Sequence, residues 1–202
     1  MKKTFFGDVR KLRTVSIDSD VIIDVLALNI LKNKPNLSNE DKRYLERCIK
    51  SLEVLSLLFS VKIELVGTEP VKRELSYSRF LKDLYGKVFN STVPVDKKVK
   101  QLAQLYINKK KLKIADALIL ACVSRSKTDC FISWDKEHMI NNNTAEIVKH
   151  VNKSQNFPLP ILISPDEFLK RVTLSQERTL GFSPEPIPAK ITLKFSLSRL
   201  LL

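Results

Sequence analysis

Four carboxylates stand out in this chain by their positions: Asp18, Glu74, Asp116 and Asp135. Asp18 follows a short run rich in β-branched residues, 14–17, that reads as a strand. The carboxyl end of a strand is where α/β proteins place ligands. Asp135 follows a second short strand, and Asp116 stands where a charged loop meets a helix that is apolar on all sides. At 100° per residue, Val71, Leu75, Leu81, Leu84, Tyr85 and Val88 fall on one side of a helix, and Lys72, Arg79, Asp83 and Lys87 on the other. Glu74 lands inside the apolar arc, where a carboxylate is costly unless it is paired or binds a cation. Four acids brought to one sheet edge repel one another and call for divalent cations. Such an oxygen-rich set suits Mg²⁺ or Mn²⁺. One or two of these ions activate water and stabilise the charge that builds on a phosphodiester.

Each acid also has a plainer reading. Asp18 or Asp20 could cap a helix, as could Asp116 and Asp135; Glu74 could pair with Arg73 or a lysine, or lie on a helix rotated enough to solvate it. Other chemistries lack their residues. The four glycines form neither a G-x-G-x-x-G nor a G-K-[ST] phosphate loop. The two histidines, His138 and His150, belong to no HExxH or Cys/His cluster, so zinc is not expected, and His138, which could act as a base, reads first as a surface residue on a short helix. No G-x-S-x-G elbow is present. Asp18-Ser19-Asp20 also resembles the Asp-x-Asp of haloacid dehalogenase phosphatases, with Asp18 as nucleophile. That motif needs Thr or Val where Ile22 stands, and no Gly-Asp-x-x-x-Asp follows.

The elements that must position these acids alternate between strand and helix. After the first strand, residues 21–31 read as a buried helix, ended by Pro35. Ser38 to Asp41 resembles a capping box, followed by a helix with Leu45, Cys48, Ile49, Leu52, Leu55 and Phe59 on one face. Residues 61–66 read as a strand, Gly67 as a turn, and Pro70 as the first turn of a helix reaching about Tyr85. Asp96 caps a helix whose inner face is Val99, Leu102, Ala103 and Tyr106; residues 117–123 form the all-apolar helix and residues 130–132 a strand. A short helix from Lys136, a strand over 159–163 and a helix over 166–172 complete the run. The alternation predicts a parallel α/β sheet flanked by helices on both faces. Residues 1–13 read as a basic leader, 14–172 as the domain, and 173–202 as a C-terminal extension.

The 202 residues carry 35 Lys and Arg against 22 Asp and Glu, a formal net charge of +13, and a chain this basic usually meets a polyanion. Lys109, Lys110, Lys111 and Lys113 lie just before Asp116, with Lys97, Lys98 and Lys100 upstream. They suit phosphate contacts that are salt-sensitive and sequence-tolerant, or equally the solvated end of a helix. No apolar run approaches the roughly 20 residues needed to span a bilayer, and the N-terminus is not that of a signal peptide, so no membrane partner is expected, with an anionic membrane surface only second to nucleic acid as the polyanion. The three cysteines are odd in number and lack metal-ligand spacing, which suggests buried thiols in a reducing cytoplasm.

The ordered set of motifs resembles the PIN-domain nucleases. Val15-Ser-Ile-Asp18-Ser19-Asp20-Val-Ile-Ile-Asp24 is similar to the family's opening strand and helix, with Asp18-Ser19-Asp20 in place of Asp-Thr-Asn. Thr68 followed by Glu74 resembles its Ser/Thr-then-Glu segment. Ile114-Ala-Asp116-Ala-Leu-Ile-Leu-Ala121 matches its Asp-Ala-Leu-Ile-x-Ala segment. Phe131-Ile-Ser133-Trp134-Asp135-Lys136 resembles its Thr-Asn/Arg-Asp-Lys, with Trp134 replacing a small polar or basic residue and suited either to stacking on a base or to packing on a helix. Residues 163–169 are similar to its closing strand and helix. The matches keep family order over residues 14–170. The resemblance implies Mg²⁺- or Mn²⁺-dependent cleavage of single-stranded RNA. Asp18, Glu74, Asp116 and Asp135 would be the metal-binding acids, with Ser133 and Asp20 in support. It also implies a homodimer and, as in many small members, a toxin held by an antitoxin protein. The long helix after residue 38 and the extension exceed a minimal domain, which fits an RNA-processing role. A scaffold that binds RNA without cleaving it is the remaining alternative.

Overall fold

The computed structural model describes residues 12–180 except 62, 110 and 111, with side chains of the last helix described through Thr173. Of the expected leader over 1–13 only residues 12 and 13 are described, and of the extension over 173–202 only residues 173–180, which continue the closing helix past its expected end at 172. In chain order the elements are β1 (Thr14–Ile17), α1 (Ser19–Lys32), α2 (Asn39–Ser60), β2 (Glu64–Thr68), α3 (Glu69–Leu75), α4 (Arg79–Val88), β3 (Ser91–Val93), α5 (Lys97–Lys109), α6 (Ile114–Arg125), β4 (Cys130–Ile132), α7 (Asn142–Ser154), β5 (Ile161–Ile163) and α8 (Pro165–Leu180).

The five strands form one sheet in the order β3-β2-β1-β4-β5, and every pairing is parallel. The chain is therefore α/β, as the alternation of elements predicts. Val15, Ser16 and Ile17 of β1 and all three residues of β4 are buried. Successive strand residues point to opposite faces, so both faces of these central strands are covered. Two groups of helices cover them: α2 packs on α1 and α8, while α5 packs on α6 and α7. Among the described residues no helix is long and apolar enough to cross a membrane.

Helix starts follow local chemistry. Ser38 and Asp41 form the expected capping box at α2, and Asp96 accepts from the Val99 N–H at 2.8 Å to open α5. The run 117–123 of α6 is apolar on all sides because nearly all of it is buried, with only Leu118 half-exposed. At the far end of the sheet, Asp129 ties β1 to β4 by accepting from the N–H groups of Arg13 (2.8 Å) and Thr14 (3.0 Å).

Several expectations need correction. The helix expected over residues 70–85 is two helices, α3 and α4, broken at residues 76–78. The Ser76 hydroxyl turns back to the Lys72 carbonyl, a local bond that competes with helix continuation. Gly67 is inside β2 and makes no turn: Tyr85 and Phe89 press so close that a Cβ there would meet the Tyr85 hydroxyl oxygen at 2.0 Å. The inner face of α2 is rotated from the expected one. Ile49 and Phe59 are exposed, while Ser51, Val54 and Leu58 are buried. An inward serine interrupts the apolar stripe, and hydrophobicity alone misplaces it. Residues 136–139 form a turn, not a helix. β3 and α7 were not foreseen, and the fifth strand starts at Ile161, two residues later than expected.

Candidate metal centre

The strand order turns back between β1 and β4, the crevice where open parallel sheets hold ligands. The Asp18 N–H extends the β1–β4 ladder to the Ile132 carbonyl at 2.9 Å, which sets Asp18 beside the residues following β4. Its side chain caps α1: Oδ1 accepts from the Ser19 N–H at 2.8 Å. Oδ2 accepts from the Ser133 hydroxyl at 2.7 Å. Capping and membership of an acidic site are thus compatible, and one carboxylate does both.

Ser133 joins two acids, since its Oγ also accepts from the Asp135 N–H at 3.0 Å. Asp135 in turn caps the 136–139 turn: Oδ1 accepts from the N–H groups of Glu137 (3.1 Å) and His138 (2.8 Å). That turn brings His138 Nδ1 to 3.1 Å from Asp135 Oδ2. His138 is half-buried against an acid, not a free surface residue.

Asp116 does not cap its helix. α6 begins at Ile114 with Lys113 in the cap position, so Asp116 lies in the first turn. Its Oδ2 is buried and has no hydrogen-bond partner. Burial raises the Asp116 pKa, the charges of Asp135 and Glu74 raise it further, and His138 and Lys113 oppose them. Asp116 therefore feels acids on both sides of the site.

Glu74 is exposed, contrary to the apolar position expected from a continuous helix. The break after Leu75 leaves α3 only two turns long, with Val71 and Leu75 inward and Glu74 at the rim. It still reaches the site, because its Oε2 accepts from the Ser19 hydroxyl at 2.7 Å. Burial pushes Asp18 up to about 6, and the charges of Glu74 and Asp116 act in the same direction, against the bonds from Ser133 and Ser19.

Behind this quartet lies a layer of partners. Asp20 is pushed up to about 7, by burial first and then by Asp18. Its Oδ2 accepts from Arg47 Nη2 and from the Trp134 N–H, both at 3.3 Å, while Oδ1 is buried without a partner. Asp24 is almost fully buried and accepts from Arg47 Nε (2.8 Å) and the Ser51 hydroxyl (2.9 Å). Trp134 donates its indole N–H to Ser51 at 2.8 Å, and the Arg47 guanidinium lies over its ring, 5.3 Å from the centroid. Of the two roles open to Trp134, the structure gives it packing against α2.

These residues fit a divalent cation. The acids are hard oxygen donors that repel one another. Asp116 and Asp20 each keep a buried oxygen with nothing to accept from. Asp116, Asp135 and His138 offer ligand atoms that all lie within 4.8 Å of one another. Of the expected phosphate-binding lysines, Lys109 and Lys113 are exposed, with Lys113 close enough to Asp116 to act on its charge. Lys110 and Lys111 lie outside the described residues. Sequence reasoning missed Ser19, and it considered His138 as a base but not as a neighbour of Asp135 that could hold an ion. The spacing Asp135-x-x-His138, which suits an Asx-type turn, was the available signal for that contact. Comparison of the chain with family models, with curated proteins and with solved structures finds no match.

Proposed function

We propose that this chain is a metal-dependent endoribonuclease of the PIN type that hydrolyses phosphodiester bonds in single-stranded RNA. The observation that carries this reading is the convergence of Asp18, Glu74, Asp116 and Asp135 at the carboxyl edge of the sheet, beside the β1–β4 switch point. A bound Mg²⁺ or Mn²⁺ supplies an activated water and a counter-charge for the phosphodiester. Asp116 and Asp135 would hold the ion, Asp18 and Glu74 would add negative charge beside it, and Ser133 fixes the mutual placement of Asp18 and Asp135. Asp20 supports them from behind, restrained by Arg47. Lys109 and Lys113 draw in the polyanion, in keeping with the net charge of +13. Three buried free thiols suit a reducing cytoplasm.

The test is cleavage of end-labelled single-stranded RNA with Mn²⁺, comparing wild type with Asp18→Asn. Loss of RNA only with wild type supports the reading. Equal loss in both, or none in either, overturns it; binding without cleavage marks an RNA-binding scaffold. Two cellular settings suit this chemistry, a toxin restrained by an antitoxin protein and an RNA-processing enzyme, with a homodimer compatible with either. Growth arrest on expression that is abolished by Asp18→Asn marks the toxin; accumulation of uncleaved precursor RNA with the variant marks the processing enzyme.

A further inference from the structure

We infer that His138 is a nitrogen ligand at the Asp116–Asp135 end of the centre, so that this end takes Mn²⁺ in preference to Mg²⁺. The inference rests on the metal-dependent reading above and names the ion it selects. Ligand atoms of Asp116, Asp135 and His138 lie within 4.8 Å of one another. Donors about 2.1 Å from one ion lie about 3–4.2 Å apart, so a small inward adjustment closes the set. The imidazole is carried on a turn pinned at both ends. The His138 N–H donates to Asp135 Oδ1 at 2.8 Å, its carbonyl accepts from the Thr144 hydroxyl at 2.7 Å, and the next residue, Met139, is buried. Asp116, in the same group, keeps Oδ2 buried with no hydrogen-bond partner, an acceptor that an ion would satisfy.

The two ends of the centre then differ in chemistry. Around Asp18, the neighbouring acids Glu74 and Asp20 offer oxygen alone. The Asp116–Asp135 end adds an imidazole. Mg²⁺ is a hard ion that favours oxygen and keeps its waters, whereas imidazole is a borderline donor that favours transition ions. A mixed carboxylate–imidazole set therefore favours Mn²⁺ over Mg²⁺ more than an all-carboxylate set does.

The experiment uses the full chain loaded with Mn²⁺. Electron spin-echo spectroscopy should show the hyperfine coupling of a directly bound nitrogen in wild type and in His150→Gln, and its loss in His138→Gln. The chain has two histidines, so the pair of variants assigns the signal. By calorimetry, His138→Gln should weaken Mn²⁺ binding about 10–100-fold and Mg²⁺ binding less than about threefold. Bound Mn²⁺ without nitrogen coupling in wild type overturns the inference, and needs no variant to fold. Equal weakening of both ions also overturns it. Coupling without RNA cleavage keeps His138 as a ligand and removes the nuclease reading. Cleavage without coupling does the reverse.

Discussion

The Ser133 hydroxyl donates to Asp18 Oδ2 at 2.7 Å, across a sequence separation of 115 residues. The same oxygen accepts from the Asp135 N–H at 3.0 Å. One fully buried hydroxyl therefore sets the distance between the acid that ends β1 and the acid that follows β4. Replacing Ser133 with alanine should leave the fold intact and lower Mn²⁺ affinity about 10–100-fold, as for other residues that orient metal ligands. Unchanged affinity by calorimetry would mean that Asp18 and Asp135 do not share an ion.

Burial of the acids, with their mutual repulsion added, makes stability depend on pH and metal together. Asp18 and Asp20 are raised from 3.8 to about 6 and about 7. In that interval the folded chain holds protons that the unfolded chain has released, so stability falls as pH rises from about 4 through about 7. A bound cation offsets the repulsion that appears there. Thermal melts with a chelator should show a falling Tm between pH 5 and pH 8 (about three units of titration). The Tm gain on adding Mn²⁺ should be larger at pH 8 than at pH 5. A gain independent of pH would count against these acids as the ligands.

Arg47 holds two acids with two different nitrogens, Nη2 on Asp20 and Nε on Asp24. A lysine offers one point charge and cannot make both contacts. Arg47→Met leaves the buried Asp24 carboxylate without its cation, with only the Ser51 and Tyr44 hydroxyls as hydrogen-bond partners, and should cost about 1–3 kcal/mol by denaturant unfolding. Arg47→Lys should recover no more than half of that loss. Full recovery would show that charge alone, and not the fork, is what Asp20 and Asp24 require.

Gly67 tests packing away from the acids. A Cβ at this position would fall 2.0 Å from Tyr85 Oη, 2.6 Å from Cζ and 2.9 Å from Phe89 Cγ. Tyr85 has little room to retreat, being buried with its hydroxyl 3.0 Å from Thr92 Oγ1. Gly67→Ala should cost about 1–3 kcal/mol, lowering Tm by roughly 2–10 °C. A Tm within a degree of wild type would mean that Tyr85 repacks at no cost.

Lys113 precedes the buried helix that carries Asp116 and is exposed. If it meets a phosphate, Lys113→Ala should weaken single-stranded RNA binding about equally across sequences. The slope of log affinity against log salt should fall by about 0.7. A slope equal to that of wild type would place the phosphates elsewhere.

Much of the architecture was legible because it follows from local pattern. The mostly β-branched residues 14–17, the capping chemistry of Ser38 and Asp96 and the apolar run 117–123 of α6 each act within a turn or strand. The errors came where tertiary packing overrides that pattern. Gly67 reads as a turn until Tyr85 closes over it, and the inward Ser51 cannot be distinguished from a solvated serine until Asp24 and Trp134 are placed against it. β3 is three residues long, too short for periodicity to mark.

The sequence by itself determined the α/β class, the basic charge and the strand-end positions of Asp18 and Asp135, because each depends on composition or on neighbours along the chain. Only the tertiary structure decided which groups meet. It moved Glu74 from an apolar face to the rim and joined it to Asp18 through Ser19, turned His138 toward Asp135, and gave Trp134 to α2. The physical reason is that strand order is non-local. Asp18 and Ser133 touch because β1 pairs with β4, and hydrophobic periodicity does not report which strands pair.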